Sequence, residues 1–200
     1  MKVSLKIKVP GMRLKIVLTA LIITNTAFAQ IPTNLGFALS DEFSESISIV
    51  KAQGFLLKEI LKSQENVVQF ELDRIASSMS GDMTTLFYRC DEKKAEGLIL
   101  AFYGDYWNDN GDIYKGFVFK NLPAKEAIEF LEKITRTIEE QKDFLSKNSD
   151  NNAYFQYDDI TIVISKDMEV KIRIFWNGFD ADWDKYSFTR TRRVLENSLK

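Results

Sequence analysis

Apolar and polar positions along this chain alternate between a helical and a strand period. Phe43, Ile47 and Val50 recur at i, i+4 and i+7 behind Ser40 as N-cap and the acids Asp41 and Glu42. With Gly54 placed as a C-terminal cap, the spacing predicts a helix near 40–53. Next, 55–61 and 67–75 flank the polar stretch 62–66 and read as a hairpin. In its second strand Val68, Phe70 and Leu72 oppose Gln69, Glu71 and Asp73, the mark of a sheet with one wet face. Residues 84–90, 98–103 and 114–120 follow as strands, the last two joined by Asn108-Asp-Asn-Gly-Asp112, whose Asn-Gly pair favours a tight turn. The short connections predict an antiparallel meander, because parallel crossovers need a dozen or more residues.

Ala127, Leu131, Ile134, Ile138 and Leu145 form one apolar stripe, predicting a helix over 123–147 with Pro123 in its first turn. Its exposed side carries Glu129 with Lys133 and Glu132 with Arg136 at i, i+4 spacing. Residues 154–157, 160–165 and 170–176 read as three more strands. A last helix near 184–198 turns Phe188 and Leu195 inward. The expected class is α+β, an antiparallel meander-like sheet of about 5 + 3 strands with helices near 40–53, 123–147 and 184–198. The order of helix then strands occurs twice, although no repeated sequence accompanies it.

The first 29 residues depart from this pattern. Lys2, Lys6, Lys8, Arg13 and Lys15 precede the apolar run 16–23, and Ala27-Phe-Ala29 presents small residues at a cleavage site. That is the arrangement of a secretory signal peptide, and the run is too short for the roughly 20 residues of a spanning helix. Translation from Met12 would leave a more compact charged region. The expectation is a cleaved signal over 1–29 and a single domain over 30–200, exported to the periplasm or secreted, with no stable membrane span after cleavage.

Cleavage alters the charge balance. The chain as a whole carries 27 basic and 29 acidic residues, whereas residues 30–200 hold 22 basic against 29 acidic, a net charge of −7. An acidic domain is poorly suited to nucleic acid, which is bound through phosphate neutralisation by Lys and Arg. The absence of histidine removes Ser-His-Asp and Cys-His machinery and every imidazole-based metal site. The single cysteine, Cys90, excludes an intrachain disulfide and reads as a small core residue, with an intermolecular disulfide as the alternative.

No familiar motif survives inspection. Asp180-Ala-Asp182-Trp-Asp184 has the alternate acids that begin a calcium loop, but Lys185 and Thr191 stand where its Gly and final Glu belong. The favoured reading is a polar loop with Asp184 capping the last helix. Ser48-Ile-Val-Lys51 lacks the companion elements of a Ser-x-x-Lys enzyme. Gly111 and Gly116 have the spacing of a phosphate loop, but Phe117-Val118 follows where Lys-Ser or Lys-Thr is required. Arg190, Arg192 and Arg193 read as a solvated face. Two aromatic and acidic groupings are the candidate binding residues: Tyr106 and Trp107, and Trp176, Asp180, Asp182 and Trp183. The expected function is non-catalytic binding of a protein or glycan partner, with no catalytic residue, metal or cofactor assigned. The alternatives are a carboxylate-dependent hydrolase using a pair such as Asp180 and Asp182, and a structural, self-associating envelope protein.

Overall fold

Two four-stranded antiparallel sheets, each a simple meander, organise the computed structural model of this chain. The structure describes residues 48–62, 67–107 and 113–199, with the side chains of 106, 107 and 114 excepted. The expected signal segment over 1–29, residues 40–47 of the first expected helix, and residues 63–66 and 108–112 of the expected connections lie outside the described residues.

Helix α1, Ser48–Phe55, continues through Gly54 into a π-helical turn, Leu56–Leu61. The expected strand over 55–61 is thus helical. Its burial explains why: Ala52, Leu56 and Leu61 are buried at spacings of four and then five, and the second spacing is the wider π turn. Strand alternation would instead have put Lys58 on one face with Leu56.

The first sheet follows in chain order as β1 (Glu71–Ser77), β2 (Met83–Cys90), β3 (Ala95–Trp107) and β4 (Ile113–Pro123). Removing the helical 55–61 turns the expected five strands into four. β2 is buried on both faces. Leu86, Tyr88 and Cys90 join Ile99 and Ala101 beneath α1, while Met83 and Phe87 join Leu98, Leu100 and Phe102 on the other side. A bulge at Ile75 lets β1 serve both layers, with Leu72 against the first and Ile75 and Ala76 in the second. Where β3 crosses the end of β4, Gly97 is required: an added Cβ would lie 2.4 Å from the Leu122 carbonyl oxygen and 2.9 Å from the Tyr88 hydroxyl.

Helix α2 (Ala124–Glu140) and the short α3 (Lys142–Leu145) replace the single helix expected over 123–147. Their buried residues include the expected Ala127, Leu131, Ile134 and Leu145, and Phe130 besides. Lys133 is drawn to the second sheet, where its Nζ donates to the Gln156 carbonyl at 2.8 Å and lies 4.8 Å from the Phe155 ring centre.

The second sheet comprises β5 (Asn152–Tyr157), β6 (Ile160–Lys166), β7 (Val170–Trp176) and β8 (Phe179–Asp184). β8 corrects the reading of 180–184 as a loop. The alternate acids are the period of a strand: Phe179, Ala181 and Trp183 are buried, and Asp180, Asp182 and Asp184 share the opposite face. The sheets therefore hold four strands each, not five and three. Helix α4, Lys185–Ser198, closes the chain, with Asp184 as N-cap accepting from the Ser187 amide at 2.9 Å. One apolar core joins the second face of the first sheet, helices α2 and α4, and the inner face of the second sheet. No described helix is long and apolar enough to cross a membrane.

Candidate functional site

The hairpin joining β7 to β8 turns on Asn177 and Gly178, with φ of +49° and +80°, between the paired residues Trp176 and Phe179. Two successive positive φ angles are the signature of the type I′ turn that Asn-Gly favours. A groove of about 300 Å³ opens here, lined by Asp159, Phe175, Trp176, Asn177, Gly178, Phe179 and Asp180.

Trp176 is fixed from three sides. Its ring centre lies 5.6 Å from that of Phe102 on β3, and its indole Nε1 donates to Asp159 Oδ2 at 2.8 Å. The Lys120 ammonium lies 5.6 Å from its ring centre. Lys120, on β4, donates to Asp158 at 2.9 Å and Asp159 at 2.5 Å across the β5–β6 turn, and so ties the two sheets together. Burial alone would lower the Lys120 pKa, but the hydrogen bonds and charges of Asp159 and Asp158 outweigh it and raise it above the ordinary lysine value. Asp159 is correspondingly held below the usual carboxylate range, by Lys120 first and by the Trp176 indole second.

Asp180 and Asp182 project from the outer face of the second sheet. Arg173, one strand away, makes a bidentate pair with Asp182 at 2.9 and 3.2 Å and approaches Asp180 at 3.7 Å. The Asp182 hydrogen bonds raise the Arg173 pKa above its ordinary value. Cross-strand pairing aligns Tyr154, Val163, Arg173 and Asp182 in one row, and Gln156, Thr161, Phe175 and Asp180 in the next. Tyr154 is 76% exposed and Phe175 40%, and at the β8 edge the Asp82 carboxylate accepts from the Asp182 amide at 3.3 Å.

The expected site residues thus separate. Trp176 and Asp180 border the same groove, and Asp182 lies on the adjoining outer face. Trp183 is a core residue, 1% exposed, with its ring stacked 6.3 Å from Phe130 and edge-on 5.1 Å from Phe188. It offers no surface to a ligand. Tyr106 and Trp107 occupy the last positions of β3, opposite Tyr114 and Ile113, and their side chains lie outside the described residues. Cys90 is buried and free.

Compared with protein families, curated proteins and solved structures, the chain finds no match. The site must therefore be read from its own chemistry. Among the described residues no group of three or more Cys, Asp or Glu side chains could hold a metal ion. The groove's described lining contains no hydroxyl or thiol nucleophile, and its carboxylates are already engaged: Asp159 by Lys120 and Trp176, Asp180 by Arg173. What it offers is aromatic surface beside fixed charge. Sequence reasoning passed over Lys120, Asp158, Asp159 and Arg173. The Asn177-Gly178 pair was the available signal, since it places a hairpin after β7 and a new strand immediately beyond it.

Proposed function

We propose that this chain is an exported, non-catalytic binding domain that meets its partner through the outer face of its second sheet and the adjoining β7–β8 groove. The observation that carries the reading is that face itself: Tyr154 and Phe175 stand exposed beside a charge row, Asp180–Arg173–Asp182, held in fixed geometry. Exposed aromatic area with oriented polar groups is the composition of recognition surfaces. A hydrolase of the glycosidase kind sets two carboxyls across a cleft for acid and base work. Asp180 and Asp182 instead stand two residues apart on one strand face and share a guanidinium. Export is inferred from the charged, apolar and small-residue pattern of residues 1–29.

The test is retention of partners from the organism's own envelope fraction by the mature chain, compared with a Tyr154→Ala, Phe175→Ala double variant. Both side chains are exposed, so the variant should melt as the parent does. The reading requires a partner, protein or glycan, retained by the parent and lost by the variant. Equal retention removes this face from the proposal. Turnover of a glycan substrate that Asp180→Asn or Asp182→Asn abolishes would replace binding with hydrolysis.

A further inference from the structure

At the opposite end of the second sheet, where β6 turns into β7, lies a separate cavity of about 370 Å³. Its floor is apolar: the half-buried Ile138 from α2 and Val170 from β7 pack on the main core, with the fully buried Leu145 of α3 behind them. Three lysines from three different elements, Lys142, Lys166 and Lys185, also line the cavity. None of the three is ion-paired to a described carboxylate. Lys166 has a hydrogen bond only to the Ser146 hydroxyl, at 2.7 Å. Glu139 and Glu169 also border the cavity, so the rim carries a net positive charge of one. In an otherwise acidic domain, three lysines without a described carboxylate partner lining one apolar hollow are against the prevailing charge.

The position of Lys185 sharpens the point. It follows the Asp184 cap directly, in the first turn of α4, where a cation opposes the helix dipole and costs stability. Met168, 92% exposed at the cavity mouth, adds a flexible apolar wall of the kind that adapts to a ligand.

We propose that this cavity binds a small amphiphilic carboxylate, its chain on Ile138 and Val170 and its anionic head among Lys142, Lys166 and Lys185. The volume suits such a ligand, being room for about a dozen groups the size of a water molecule, and thus a medium-length acyl chain. The site is independent of the outer-face reading: it lies at the start of β7 and the groove at its end, about 20 Å away along the strand.

Octanoate is the probe, with octan-1-ol as its uncharged counterpart, titrated calorimetrically into the mature chain. Octanoate is expected to bind saturably and at least about tenfold more tightly than the alcohol. The exposed pair Lys142→Glu and Lys185→Glu is expected to weaken octanoate by about tenfold, within the range of two surface charge contacts, with a melting temperature no lower than the parent's, since an acid in the first turn of α4 favours the helix dipole, and with the alcohol unaffected. Val170→Asp is expected to weaken both. No saturable binding at millimolar octanoate overturns the assignment, as does equal affinity for the alcohol or an unchanged affinity in the charge variant. Tighter binding of a peptide with a free C-terminal leucine overturns the acyl assignment in favour of a chain terminus. Concentration-dependent dimerisation that the charge variant abolishes gives the cavity to a second copy of this chain and equally removes the proposal.

Discussion

Single side chains in this molecule hold positions that make sharp demands. Trp183 fills the space between α2, α4 and the second sheet, so Trp183→Ala is expected to cost about 3–5 kcal/mol, read as a large drop in the chemical-denaturation midpoint. Gly97→Ala is expected to destabilise by about 1–3 kcal/mol, because the new methyl meets the Leu122 carbonyl, a backbone atom that yields little. Asp184 joins both concerns of this scale, structure and charge. Burial alone would push its carboxyl up, yet hydrogen bonds from the Ser187 hydroxyl and amide and from the Met79 amide outweigh it and hold it below the usual range. A carboxyl depressed in the folded state stabilises above its unfolded pKa, and that contribution is lost as pH falls through the folded value. Stability should therefore decline below about pH 4. Asp184→Asn should be less stable at neutral pH and show a shallower acid limb in denaturant titrations.

Elements show where sequence patterns suffice and where they mislead. The strands at 160–165 and 170–176 and the inward stripe of α2 were legible because one period ran unbroken through each, and the strand at 84–90 because it is rich in β-formers. Two segments were not. Residues 55–61 are apolar enough for either period, and only the four-then-five spacing of buried Ala52, Leu56 and Leu61 on the first sheet decides for the helix. In β8 the three acids drew attention as ligand spacing, although the buried Phe179, Ala181 and Trp183 between them are what the spacing serves. Asp184 as the cap of α4 was read correctly, since a cap needs only its own helix. The site was less legible than the fold. Arg173 matters through acids on the neighbouring β8 and Lys120 through acids in the β5–β6 turn of the other sheet, and local sequence places neither. The β7–β8 turn offers a test at this scale: Gly178 has open space around its α-carbon but a φ of +80°, so Gly178→Ala should cost about 1 kcal/mol through backbone strain alone. A melting temperature unchanged from the parent would contradict the type I′ assignment.

At the scale of the whole molecule, a common core joins the two meanders, and the order of four strands then helix occurs in each half. The shared core implies that both sheets and their helices unfold together. Cys90, 1% exposed beneath α1, reports on that event: its thiol should resist Ellman's reagent in native protein and react only across the main denaturation midpoint. Reaction well below the midpoint would mean that α1 lifts away separately. The outward face of the second sheet leaves Tyr154 and Phe175 exposed, and the proposed function stands on it. Hydrogen–deuterium exchange of the mature chain, with and without envelope extract, measures that claim most directly. The account predicts slowed exchange in 152–156, 171–175 and 180–182, the strands that carry Tyr154, Arg173, Phe175 and the acid pair. Slowed exchange confined to other segments, with these strands unchanged, would contradict it.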